Sequence, residues 1–455
     1  MLVLLALIVG VTPARARARS GPELVNDTLT TEYPAGITFS VEAQSNVPIR
    51  SVTLRFGATT TASCQDAVAI RDLTISEYSN VTAEYTWDFR ESSTVPPGTE
   101  VWWQWEITDI DGAVLLTERR TQILEDQRFT WQTASDANLT VYWVDGNADF
   151  GRTLLAIARE SADALQTEAG LTVTAPVRLT IYPDFDSMRA AILQVAEWTG
   201  GLAYSDYNAI LIGIAPDQES WARAVIPHEY THLVTGAATA NCWGVYMPTW
   251  LNEGLSMHFE GTQGAAEDRD LRQRLDSGTL PSLRSLANGF SAYSDDANAA
   301  YAQSGRVVTY LLREYGPEPM SALLADVQRG TPIDAALLAA YGVDTDGIDA
   351  RWRADLAGEP TPTAPPAASP SPQATVTAVP TIVAWDGIPT PFEPTTQPTA
   401  IAPQVIATPT PATTGGAGNA GSLLLAGLLL CVCILLPGAL VLAGLLWLVI
   451  RGSRS

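Results

Sequence analysis

Lysine is absent from the 455 residues: all 26 basic side chains are arginine, against 49 Asp and Glu, for a formal charge of -23. Such a balance leaves no basic stripe for a polyanion, so nucleic acid is excluded as a partner on bulk charge. Cysteine is scarce, at four residues, too few for a disulfide scaffold in a chain of this length. Cys431 and Cys433 share one apolar run, where pairing would staple nothing, while Cys64 and Cys242 fall in separate blocks and are expected to be unpaired. Histidine is rarer still, with three residues, so any two that sit close together carry weight. What is plentiful is apolar: 46% hydrophobic residues with 13 Trp rule out wholesale disorder. At roughly 150 residues per domain the chain has room for two or three domains.

The two ends read as addresses rather than fold. An apolar stretch from Leu2 to Val11, followed by Ala14, Ala16 and Ala18 alternating with Arg, has the form of a signal peptide over 1–19. Near the other end, 421–450 is uncharged and longer than the ~20 residues a helix needs to cross a bilayer, which predicts one transmembrane helix. Pro437 and Gly438 are expected to kink it, and Arg451 and Arg454 in the tail 451–455 place the C-terminus in the cytoplasm by the positive-inside rule. Residues 358–420 turn to Pro, Thr, Ala and Gly, the composition of a disordered stalk that favours extended polyproline II. Setting aside Arg15, Arg17, Arg19, Arg451 and Arg454 leaves 21 Arg against 49 acids over 20–420, a balance of -28. The sequence thus predicts a single-pass cell-membrane protein with its mass outside, soluble and repelling anionic substrates.

Residues 20–125 read as strands. Ile37, Phe39 and Val41 alternate with polar neighbours, as do Val52, Leu54 and Phe56, and Val101, Trp103, Trp105 and Ile107 line one face of the clearest strand. Short strands at this spacing predict an immunoglobulin- or fibronectin-like β-sandwich, with the Trp cluster as core rather than a sugar-binding platform. From 126 to 357 the pattern is mixed. A hairpin is expected from Phe129–Trp131 and Leu139–Trp143, a helix over Thr153–Glu168, a strand at Val177–Ile181, a helix at Ser187–Glu197, and a strand at Asn208–Ile214. That last strand is a candidate sheet edge for an added peptide. Asn-x-Thr sites stand at Asn26, Asn80 and Asn138.

Within this mixed region, residues 226–234 read Ile-Pro-His-Glu-Tyr-Thr-His-Leu-Val. His228 and His232, four apart in a segment of helical character, share one helix face and can reach one metal ion. Glu229 points to the side of that pair, where a carboxylate can take a proton from water. Catalytic zinc commonly takes three protein ligands, and Glu253, in Trp250-Leu251-Asn252-Glu253-Gly254, follows after twenty intervening residues.

His-Glu-x-x-His followed at this distance by Trp-Leu-Asn-Glu-Gly resembles the gluzincin metallopeptidases, in particular the branch related to M1 aminopeptidases and the group called peptidase MA-like. The resemblance extends more weakly over residues 128–357 and implies a thermolysin-like α+β zincin domain. It implies that His228, His232 and Glu253 bind one Zn2+ and that Glu229 is the general base. A downstream Tyr hydrogen-bonds the developing oxyanion in this family; Tyr301 looks like that residue, with Tyr293 and Tyr310 as competitors. His258 is expected to be structural or exposed. The chain departs from the M1 pattern where those enzymes carry Gly-x-Met-Glu-Asn, whose Glu holds the substrate's free amine: here the residues are Gly200-Gly201-Leu202-Ala203-Tyr204. The spacer before the third ligand is also two residues longer than in M1 enzymes and fits the peptidase MA-like group. The expected function is a zinc metallopeptidase acting on a peptide or protein substrate. The alternative is a catalytically silent surface binding protein that keeps the zinc site, against which the intact Glu229 argues.

Overall fold

The computed structural model describes residues 21–61, 68–76, 78–92, 95–192, 199–291 and 294–359, and the short strand 406–409. The signal peptide, membrane helix and cytoplasmic tail read from the sequence lie outside the described residues, as does the stalk apart from 358–359 and 406–409. Among the described residues no helix is long and apolar enough to cross a membrane.

The first eight strands are β1 (Glu23–Glu32), β2 (Gly36–Gln44), β3 (Ile49–Ala58), β4 (Ala69–Leu73), β5 (Asn80–Asp88), β6 (Glu100–Asp109), β7 (Val114–Leu116) and β8 (Arg120–Ile123), with a helical turn, α1 (Phe89–Ser92), between β5 and β6. They form two antiparallel sheets, β1-β2-β5 and β4-β3-β6-β7, with β8 also on β6. Period-2 burial produces the sandwich: Phe39, Val41, Leu54, Phe56, Trp103 and Trp105 interleave between the sheets. The indole N–H groups of Trp103 and Trp105 both donate to the buried Asp27, at 2.8 and 3.1 Å. Trp102, on the opposite face of β6, is covered as well, by the guanidinium of Arg119 at 3.9 Å. The Trp cluster is therefore core.

A third sheet follows, from β9 (Gln132–Asp136), β10 (Leu139–Trp143), β11 (Val177–Tyr182), β12 (Thr199–Tyr204) and β13 (Ala209–Gly213), in the order β12-β13-β11-β10-β9. The hairpin is β9–β10; Phe129 and Trp131 precede it and pack edge-on against Tyr182. Strand β13 is parallel to β11 and antiparallel to β12. It is therefore an interior strand, which corrects its reading as a sheet edge: both rows of its backbone groups are already used. Among the described residues, the outer side of β12 pairs with the four-residue strand β14 (Ile406–Pro409).

Both faces of the interior strand β13 and most of β11 are buried, so these strands carry near-continuous burial, whereas edge strand β9 is polar and exposed. Ile210 and Ile212 of β13 face the helices, whereas Ala209 and Leu211 face the core of the sandwich. The helices are α2 (Ala148–Ala169), α3 (Phe185–Ile192), α4 (Glu219–Thr239), α5 (Thr249–Glu260), α6 (Ala265–Asp276), α7 (Ser294–Tyr315), α8 (Pro317–Gln328), α9 (Ile333–Tyr341) and α10 (Thr345–Ala357). Helix α2 begins where Asn147 accepts from the backbone N–H groups of Asp149 and Phe150, and ends at left-handed Gly170. Its stripe of Leu154, Ile157, Ala158 and Leu165 is buried, each large aliphatic contributing about 1.5–3 kcal/mol. Helix α4 is buried nearly all round from Ala224 to Thr235, so an amphipathic pattern cannot identify it.

One further expectation changes. Cys242 is disulfide-bonded; the other three cysteines lie outside the described residues, and separation in sequence is no guide to contact in a fold that shares one core across its blocks. Asn138 spends its side-chain amide on the carbonyls of Val173 and Ala175, at 2.9 and 3.1 Å, a structural role within its Asn-x-Thr site.

Candidate metal centre

His228 and His232 rise from one face of α4 with their Nε2 atoms 3.1 Å apart. Glu253, from α5, places Oε2 at 3.4 Å from His232 Nε2 and 3.7 Å from His228 Nε2. Close approach of α5 to α7 seats that carboxylate, and Gly254 permits it: a Cβ there would lie 2.5 Å from the Ser304 carbonyl oxygen. All three ligands are buried.

The other ring nitrogens are already engaged. His228 Nδ1 lies 2.7 Å from Glu260 Oε2, and His232 Nδ1 lies 3.1 Å from Ser256 Oγ and 3.3 Å from Asn252 Oδ1. Asn252 Oδ1 also accepts from Thr235 Oγ at 3.1 Å, which holds the amide in place. With each Nδ1–H directed outward, both Nε2 lone pairs and the buried Glu253 Oε2, which makes no conventional hydrogen bond, converge on one point. Three acceptors facing one another call for a cation. A tetrahedral zinc site with ligand arms of ~2.05 Å has donor–donor edges of about 3.3 Å, and the three separations here bracket that value. The residues fit the metal.

Electrostatics agree. Burial alone would pull the His228 imidazole toward its neutral form, but the Glu253 and Glu260 carboxylates outweigh it and raise the pKa to about 10. Burial would likewise raise Glu253, yet His232 and His228 hold it down at about 2, so the carboxylate is ionised across the neutral range. Without a metal the His228 imidazole therefore keeps a proton near neutral pH, which a cation held by the three acceptors would displace.

Glu229 is fully buried but stands outside the trio of ligand atoms. Its carboxylate packs on β12, where a Cβ at Gly201 would come within 2.6 Å of Oε1, so the glycine leaves room for the acid. Tyr301, on α7, lies within electrostatic range of Glu253, Glu229 and Glu260; burial first, then those three charges, push its phenol well above the usual value, keeping it a proton donor. Tyr310 belongs to the helical core beside Tyr315, and Tyr293 lies outside the described residues. His258 bonds Thr309 Oγ at 2.8 Å and lies 3.5 Å from Glu168, away from the trio, as the sequence reading expects.

Sequence reasoning missed Glu260, Asn252 and Ser256, which orient the two imidazoles. A signal existed for Glu260: seven residues beyond Glu253, it falls two turns on along the same helix face. Replacing Glu260 by Gln is expected to weaken zinc binding by roughly 10–100-fold, measured by competition with a chromophoric chelator. Unchanged affinity would show that the 2.7 Å contact does not tune His228.

Two histidines one helical turn apart, joined by a carboxylate from the next helix, form a group that could hold a metal ion. Residues 157–358 match the family described as the peptidase MA superfamily. Similar solved structures include yeast LTA4 hydrolase in complex with bestatin, at 13% identity and TM-score 0.33 over 74% of this chain and 66% of that one. Others are Legionella pneumophila aminopeptidase A in complex with aspartic acid (10%, 0.32, over 72% and 49%) and an aminopeptidase N family protein from Idiomarina loihiensis (11%, 0.31, over 67% and 70%). The chain therefore spans less than two thirds of the length of the first two. No curated protein sequence matches it.

Proposed function

We propose that the chain is a membrane-anchored, extracytoplasmic zinc metallopeptidase that hydrolyses internal peptide bonds with one Zn2+. The observation that carries this reading is a complete ligand trio with a separate buried carboxylate, Glu229, beside it. Zinc held by His228, His232 and Glu253 would acidify a bound water toward pKa ~7 and polarise the scissile carbonyl. Glu229 takes the proton from the attacking water and returns it to the leaving amine, while the Tyr301 hydroxyl donates to the oxyanion as the tetrahedral carbon forms.

The substrate backbone is expected to run along the outer side of β12, past the point where Gly201 meets Glu229, displacing the four-residue strand β14 that pairs there. Thr199–Tyr204 carries no acid, so the strand offers nothing to hold a free α-amine, which favours internal cleavage. A peptide and its N-acetylated form should then be cut at the same bond with kcat/KM within about two-fold. Cleavage that required the free amine would turn the assignment to an aminopeptidase.

Export is supported by the apolar run at 2–11 and by the disulfide at Cys242, a bond that persists in oxidising compartments. Anchoring is supported by the 29 uncharged residues from Ser422 to Ile450. The test of the chemistry is Glu229→Gln in the full-length protein, with zinc content and hydrolysis of dye-labelled casein measured side by side.

A further inference from the structure

The loop between α6 and α7 touches two of the helices that serve the centre, α5 and α7. Leu280, Leu283 and Leu286 anchor it in the core. Its backbone closes the start of α5: Ala287 O accepts from Thr249 N at 2.9 Å, and Leu286 O accepts from Trp250 N at 3.1 Å. Helix α5 has Pro248 at its N-cap and no side-chain cap, so these bonds satisfy N–H groups that would otherwise be orphaned. The loop is thereby fixed to the helix that carries Glu253. It is tied to α7 as well, because Gln303 Nε2 donates to Pro281 O at 2.9 Å. At its end Phe290 meets Tyr301 edge to face, with centroids 4.8 Å apart and planes at 89°, the arrangement that the ring quadrupoles favour.

We infer that Phe290 is a positioning residue for Tyr301: the 280–290 loop, bonded to the zinc-ligand helix, carries a ring that sets where the phenol hydroxyl stands relative to Glu253. The inference rests on the hydrolytic reading above. Phe290 is only partly buried and sits at the end of its loop, so area burial alone does not account for a perpendicular contact with Tyr301, which lies within electrostatic range of three site carboxylates. A hydroxyl that donates to an oxyanion must be held to within a fraction of an ångström, and misplacement by about 1 Å costs up to 10²-fold. A ring packed against the phenol supplies that constraint without a charge that would compete for the oxyanion.

The experiment is a double-mutant cycle in the zinc-loaded full-length protein, with dye-labelled casein as substrate. Phe290→Ala is expected to lower kcat by roughly ten-fold with KM and zinc content unchanged. In a Tyr301→Phe background the same substitution should cost less than about two-fold, because the group it positions is gone. Phe290→Leu, which keeps most of the volume but not the ring edge, should fall between, and it covers the case in which Phe290→Ala does not fold. An equal loss in both backgrounds, an effect confined to KM, or loss of zinc would overturn the inference. So would a Tyr301→Phe enzyme with wild-type kcat, and this leaves the hydrolytic reading standing if Glu229→Gln still abolishes turnover; inactivity of the wild-type protein itself would instead count against that reading.

Discussion

Glu229→Gln is expected to keep one zinc per chain and to lower kcat by roughly 10²–10⁴-fold, the range that general base catalysis contributes. The substitution is nearly isosteric, which matters because the side chain is wedged against the backbone of Gly201 in a fully buried position. It leaves His228, His232 and Glu253 untouched, so metal binding and peptide binding are preserved while the proton acceptor is lost. That separation makes the variant decisive. A Glu229→Gln protein that still turns over casein at the wild-type rate would remove Glu229 from the mechanism. A wild-type protein that binds zinc but cleaves nothing, with its binding properties unaffected by the substitution, would mark a surface binding protein.

Glu253→Ala addresses the other half of the site and is expected to abolish both zinc retention and hydrolysis. Two imidazoles with Nε2 atoms 3.1 Å apart remain, but the third ligand and the compensating negative charge are gone. The cleanest readout is thermal. At a free zinc concentration of 100 Kd the wild-type protein gains about 2.7 kcal/mol from linkage, so its Tm rises with added zinc. The variant should show a Tm that does not respond to zinc over the same range. A zinc-dependent Tm in Glu253→Ala would mean that the carboxylate is not a ligand and that another group completes the centre.

The two imidazoles were legible because the relation between residues four apart on a helix is local and holds in any tertiary setting. Glu253 as third member of the trio was legible only through the pattern around it, since nothing about twenty intervening residues requires it to return to the same point. The strands of the sandwich and of the third sheet followed from alternation and apolar runs, with the hairpin displaced by a few residues because Phe129 and Trp131 are drawn toward Tyr182. Helix α4 was found by its histidines and not by amphipathicity, which vanishes when every side of a helix is covered.

Composition, charge and spacing settled by themselves what is chemical and short-range in this protein: an acidic chain without lysine, a β-rich part ahead of a helical one, two histidines on one turn and a glutamate between them. Tertiary structure alone decided which strand is interior and which lies beside Glu229, how Trp102 comes to be covered, that Cys242 is bonded, and that Glu260, Asn252 and Ser256 turn the imidazoles toward Glu253. The physical reason is range. Helix periodicity and strand alternation are written by neighbours in the chain, whereas hydrogen-bond partners, sheet order and the meeting of α5 with α7 come from packing between segments whose separation in sequence leaves no trace of their contact.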